Sequence, residues 1–156
     1  MIEDKLIKKT LEISKTIAMV GVSAAKKEIS TNIRRRPSTI VMKYMQEFGY
    51  KVIPVNPFSA GEKINGEVII AKLSDIKIPI DIVDVFRPSK EATGIAEETI
   101  KIGAKVFWLQ YGIENAEAKK IVESKNIFYI SNKCIKQEYQ RLFLKVSPVF
   151  PALKNT

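Results

Sequence analysis

Short apolar runs alternate with longer amphipathic stretches along this chain. "TIAMVGV" (16–22), "KVIPV" (51–55), "EVII" (67–70), "IDIVDV" (80–85), "KVFWL" (105–109) and "IFYI" (127–130) have the length and β-branched content of strands. Several are almost continuously apolar, the mark of strands covered on both faces. Between them the period changes. Ile40, Val41, Tyr44, Met45 and Phe48 share one helical face and Gly49 stops it. Ala92, Ile95, Ala96, Thr99 and Ile100 share another, stopped by Gly103, and Ala118, Ile121 and Val122 mark a third. Residues 2–15 and 134–143 carry weaker helical patterns, and "LSDIKIP" (73–79) suits a single turn.

Strand–helix–strand alternation predicts an α/β fold: a doubly wound parallel sheet in three layers, with right-handed crossovers. The expected strand order is 3-2-1-4-5 with a further strand beyond. No repeat and no second domain are visible. Residues 1–144 read as the domain, and 145–156, with two prolines and no period, as a loosely docked tail.

Composition narrows the chemistry. A chain of 156 residues with 46% apolar content suits one soluble domain with a real core. No apolar run reaches bilayer length, and "MIEDKLIKKTLEISK" has no signal-peptide core, so a cytoplasmic protein without a membrane partner is expected. Histidine is absent and Cys134 is the single cysteine. That excludes Ser-His and Cys-His nucleophiles, histidine-ligated zinc, a structural zinc site and an internal disulfide. No catalytic residue or metal ligand is nominated. The net charge of +9 favours an anionic partner. Its lysines are scattered, which reads as solvated surface rather than a nucleic-acid face.

In an open α/β sheet, ligands lie beyond the carboxyl ends of the strands where the strand order reverses. That rule nominates Gly21, Val22 and Ser23 after the first strand and Asn56-Pro57 after the second. It adds Phe86-Arg87 after the fourth and Gln110 after the fifth, with the first and fourth strands adjacent. A nicotinamide dinucleotide is the obvious thought, but Gly-x-Gly-x-x-Gly is missing: Ser23 and Lys26 stand at its second and third glycine positions. No acid ends the second strand, where the chain has "VNP". Phosphate is the better match. "NIRRRPSTIVMKYM" (32–45) sets three arginines before a helix that begins at Pro37-Ser38. Free amides there, with the Ser38 and Thr39 hydroxyls, make an anion seat that Arg36 can close. Arg-Pro-Ser recurs at 87–89, on the other lip of the same expected crevice. Arg34 and Arg35 read equally as phosphate contacts or as solvated side chains.

Taken together, "IAMVGVS", "RPSTIVMKYM", "GYKVIPVNP", "IDIVDVFRPS", "KVFWLQYGI" and "NKCIKQEYQRL" resemble the small bacterial CoA-binding domain proteins in order and spacing. These are similar to the CoA-binding domain of the succinyl-CoA synthetase α subunit. The resemblance runs from Thr16 to Leu142. It implies a Rossmann-like fold holding coenzyme A, without catalytic activity of its own. It further implies Gly21, Val22 and Ser23 near the pyrophosphate, faced by Arg36, Pro37 and Ser38. Val55, Asn56 and Pro57 would lie by the adenosine, with Phe86, Arg87 and Gln110 on the opposite lip. Two features depart from the family: a longer loop between Ser23 and Arg36, and a tail after Leu142 without a counterpart.

The expected function is therefore binding of CoA or an acyl-CoA by a carrier or sensor module, the partner being a small molecule and not nucleic acid. An NAD(P)-dependent oxidoreductase is the alternative. Cys134 has two readings. It is either a small residue packed at a helix start or a thiol on the ligand side whose pKa the helix start and Lys133 would lower.

Overall fold

The computed structural model describes residues 2–23 and 37–145. Its elements are α1 (Ile2–Ile13), β1 (Thr16–Val20), α2 (Pro37–Glu47), β2 (Lys51–Val55), β3 (Lys63–Ile64) and β4 (Glu67–Val68). They continue with β5 (Ile82–Val85), α3 (Ala92–Ile102), β6 (Val106–Leu109), α4 (Ala116–Glu123), β7 (Phe128–Ile130) and α5 (Ile135–Tyr139). A wider helical turn, Gln140–Leu144, extends α5. The "LSDIKIP" stretch supplies one 3-10 turn, Leu73–Asp75.

The main sheet has five strands in the order β2-β1-β5-β6-β7, and every pairing in it is parallel. Side-chain alternation, with both faces of the sheet covered, explains why its central strands are almost entirely apolar. Ile17, Met19, Ile82, Val106 and Trp108 face a layer built from α1, α2 and the start of α5. Ala18, Val20, Val83, Val85, Phe107 and Leu109 face the opposite layer, where α3 and α4 contribute Ala92, Ala96, Ala118 and Val122. Small residues on those two helices let them sit close to the sheet. The result is the expected three-layer, Rossmann-like α/β domain.

One strand differs from expectation. "EVII" does not form a full sixth strand of the sheet. Glu67-Val68 instead folds back on Lys63-Ile64 as a two-residue antiparallel hairpin. Asn65 and Gly66 make its turn, both at positive φ (49° and 82°), the conformation an Asn-Gly pair favours between antiparallel strands. Only Ile70 reaches the sheet edge. Its N–H donates to Pro54 O and its carbonyl accepts from Asn56 N, each at 2.9 Å, forming a parallel bridge beside Val55. The third position of the expected order survives as that single bridge.

The amino ends of the strands are closed by side chains. Asp81 Oδ2 accepts from the backbone N–H of Lys15 (2.7 Å) and Thr16 (3.2 Å), fastening β1 to the start of β5. Asn115 caps α4 through the Ala118 N–H (2.9 Å), and its amide reaches Ser89 O (2.9 Å) and Thr93 Oγ1 (3.2 Å). Those bonds hold α4 against the beginning of α3. Arg141 joins Asp4 of α1 with a bidentate pair (3.0 and 2.8 Å) and Glu138 with a shorter bond (2.6 Å). The last helical segment is thereby tied to the first.

Candidate functional site

The strand order reverses between β1 and β5, so the topological crevice lies at their carboxyl ends. There the chain leaves β1 through Gly21, at a φ of 107° that suits glycine alone. Gly21 N–H donates to Val55 O at 2.8 Å, and Phe86 N–H donates to Val20 O at 2.9 Å. The turn is therefore pinned from both sides. A Cβ at residue 21 would stand 3.1 Å from Arg87 Cδ and 3.2 Å from Phe86 Cβ, so the turn is a closely packed crest.

A cavity opens on each side of this crest. The smaller, about 360 Å³, lies towards α3 and is bounded by Gly21, Val55, Asn56, Pro57 and Arg87, with Phe58 at its lip. The larger, about 630 Å³, lies towards α2 and α5 and takes in Pro37, Phe86, Gln110, Tyr111 and Cys134. Phe86 and Arg87 are successive residues leaving β5, and each serves a different cavity. Most of the nominated residues thus gather around one crest, divided between two hollows.

Their individual roles differ from one another. Asn56 is buried; its Oδ1 accepts from Phe58 N–H (2.9 Å) and its amide lies 3.4 Å from Ser23 Oγ, linking the loops after β1 and β2. Gln110 is also buried and its Oε1 accepts from Ile135 N–H at 3.0 Å, which fixes where α5 begins. Val22 is fully buried in the core and supports the turn from behind. Pro37 opens α2, where its missing N–H costs nothing, and Ser38 beside it is buried. Arg34, Arg35 and Arg36 lie outside the described residues.

The second Arg-Pro-Ser, at 87–89, lies within the described residues. Ser89 Oγ accepts from Glu114 N–H at 3.1 Å, bracing the segment after β6 instead of facing a ligand space. Arg87 makes a fork-to-fork pair with Glu91: Nε to Oε1 at 3.0 Å and Nη2 to Oε2 at 2.9 Å. That pairing draws the Glu91 carboxyl below its ordinary range and the Arg87 guanidinium above its own.

Cys134 corrects the second of its two readings. The thiol does line the larger cavity, on the ligand side of the sheet. Its pKa is raised, however, chiefly because burial disfavours the thiolate. The Gln137 and Lys136 backbone and the Gln110 side chain oppose that shift without overcoming it. Lys133 does not hold the thiol down.

Asp84 escaped the sequence reading altogether. It sits in the middle of β5 between Met19 and Trp108, fully buried, and neither carboxyl oxygen has a hydrogen-bond partner among the described residues. Burial pushes its carboxyl well above the usual carboxylate range. An acid inside "IDIVDV", a run otherwise fit for burial on both faces, was the available signal. Glu91 was also missed, though it stands four residues after Arg87 on a helical start, within salt-bridge reach.

The chain and its fold have counterparts among known proteins. Residues 15–140 match the CoA binding domain family. The chain belongs to that family. An uncharacterized protein of Bacillus subtilis, YneT, is 41% identical over 130 residues, spanning 83% of this chain and 89% of its own. A hypothetical protein from Pyrococcus horikoshii shares 37% identity and superposes with a TM-score of 0.79, over 89% of this chain and 91% of its own. A Thermus thermophilus protein shares 35% identity with a TM-score of 0.80, over 90% and 98%. The two solved structures share the fold of this chain. Among the described residues no helix is long and apolar enough to cross a membrane, and no group of acidic or cysteine side chains suits a metal ion.

Proposed function

We propose that this member of the CoA binding domain family is a non-catalytic module that binds coenzyme A, or an acyl-CoA, across the Gly21 crest. The observation that carries the reading is the pair of cavities on either side of that crest, at the carboxyl ends of β1 and β5. CoA is an elongated molecule with a nucleotide at one end and a thiol-bearing arm at the other. The smaller cavity, with Val55, Asn56 and Pro57, suits the adenosine. The larger, with apolar Phe86 and Ile113 beside the Gln110 amide, suits the arm. Its pyrophosphate would cross at Gly21, where no side chain intervenes, and near the start of α2 with Pro37 and Ser38. Arg36 and its neighbours are assigned the remaining phosphate charge.

Nicotinamide dinucleotide binding finds less support. The residue after β2 is Asn56, whose side-chain oxygen is already committed to Phe58 N–H. No carboxylate stands there for a ribose diol.

Titration calorimetry with CoA, acetyl-CoA, dephospho-CoA, NAD and ATP tests the reading. CoA is expected to bind with about micromolar affinity, near −8 kcal/mol. Dephospho-CoA is expected to bind more weakly, because it lacks the 3′-phosphate to which Arg34, Arg35 and Lys63 are assigned. Equal affinity for the two shows that the 3′-phosphate is not read. NAD binding tighter than CoA overturns the proposal.

A further inference from the structure

The chain carries a charge of +9, yet the smaller cavity is not basic. Among its described lining residues the cations are Lys72 and Arg87, and the acids are Glu91 and Glu98. Its best-placed cation is also engaged. The Arg87 fork holds the Glu91 carboxylate through both of its oxygens, at 3.0 and 2.9 Å. The Arg87 stem lies against Gly21, where a phosphate would cross.

We propose that Glu91 is a specificity-determining residue of this site, an internal carboxylate that a ligand phosphate must displace from Arg87 in order to bind. The proposal rests on the CoA reading above and adds to it the residue that sets the threshold for anions. Guanidinium forks accept carboxylate and phosphate with the same planar geometry, so the two compete for one set of donors. Glu91 ends the 3-10 turn Ser89–Glu91 that leads into α3, four residues from Arg87. It is therefore present at high effective concentration, and a dissolved carboxylate or chloride gains little by replacing it. A phosphate brings more charge and further contacts at the crest. Both partners are about a third exposed, 35% and 38%, so the exchange needs no unfolding and costs little.

A double-mutant cycle read by CoA calorimetry tests this, with the fold of each variant checked by circular dichroism and melting. Glu91→Gln keeps the side-chain shape and removes the competing charge. It should tighten CoA binding about two- to fivefold, the worth of a partly exposed ion pair. Arg87→Ala should weaken binding about tenfold or more, through loss of a charged hydrogen bond. In the Arg87→Ala background, Glu91→Gln should change nothing, since the carboxylate no longer withholds a donor.

A gain of equal size in both backgrounds means that Glu91 merely repels the ligand through space, and overturns the proposal. Weaker binding in Glu91→Gln alone means that Glu91 accepts a ligand hydroxyl, and also overturns it. In both cases the CoA reading survives. If the wild-type protein takes up no CoA, that reading fails and the proposal falls with it.

Discussion

Replacing Gly21 by alanine tests the crest that organises both cavities. The backbone there has a φ of 107°, outside the regions open to side-chain-bearing residues, so alanine costs about 1–3 kcal/mol in conformation alone. Its Cβ would also meet Arg87 Cδ at 3.1 Å, Phe86 Cβ at 3.2 Å and the Phe86 carbonyl carbon at 3.3 Å. Arg87 can swing aside, but only by giving up Glu91. Phe86 cannot follow, because its N–H is bonded to Val20 O within the β1–β5 ladder. Crowding of this kind adds about 1–3 kcal/mol. The sum, about 2–6 kcal/mol, corresponds to a fall in Tm of roughly 5–20 °C for a domain of this size. Gly94 supplies the control. It lies within α3 and an added Cβ meets nothing within 4 Å, so Gly94→Ala should raise stability by about 0.5–1 kcal/mol. Thermal melting of both variants, with CoA calorimetry below the lower Tm, reads the contrast. Gly21→Ala melting with the wild type and binding CoA unchanged would refute the closed crest.

Three other expectations can be checked on the isolated protein. Burial raises the Asp84 carboxyl above its unfolded value, so its contribution to stability is full below about pH 4 and falls as pH rises towards the folded pKa. Asp84→Asn removes that dependence, and its Tm should gain on the wild type as pH rises above about 4; a constant difference disproves the assignment. Cys134, raised by burial, should be alkylated by iodoacetamide with a pH midpoint above the free-thiol value of about 8.5, and a midpoint below it restores the reactive-thiol reading. With that pKa, mild oxidant should attach little CoA to the protein on the mass spectrometer, and Cys134→Ser should bind CoA as the wild type does. Asn115→Ala loses the α4 cap and its ties to Ser89 and to Thr93 of α3, and should cost about 1–2 kcal/mol, a Tm lower by several degrees.

The sequence by itself determined the architecture of this protein. Strands covered on both faces are apolar at nearly every position, Asp84 of β5 being the exception, and helices covered on one face must show the 3.6 period. Both signals are local, so they survive without coordinates. From β1, β2, β5, β6 and β7 the parallel sheet follows, and from the sheet the place of the crevice. Gly21, Asn56, Phe86, Arg87 and Gln110 were legible because the carboxyl ends of strands are countable along the chain. The Asn65-Gly66 turn went unread: "EVII" taken alone suggests a longer strand, whereas the hairpin limits it to two paired residues and one bridge.

Only the tertiary structure decided what each nominated residue faces. Phe86 and Arg87 are adjacent in sequence but serve cavities on opposite sides of the sheet. The Arg87 charge is shared with Glu91, and Gln110 spends its carbonyl on Ile135. The Cys134 pKa turned on the same distinction. A helix start and a neighbouring lysine are visible in sequence and argue for a lower value, whereas the burial that raises it depends on how α5 packs against the sheet. Desolvation is a property of everything that surrounds a group, and residues distant along the chain supply most of it.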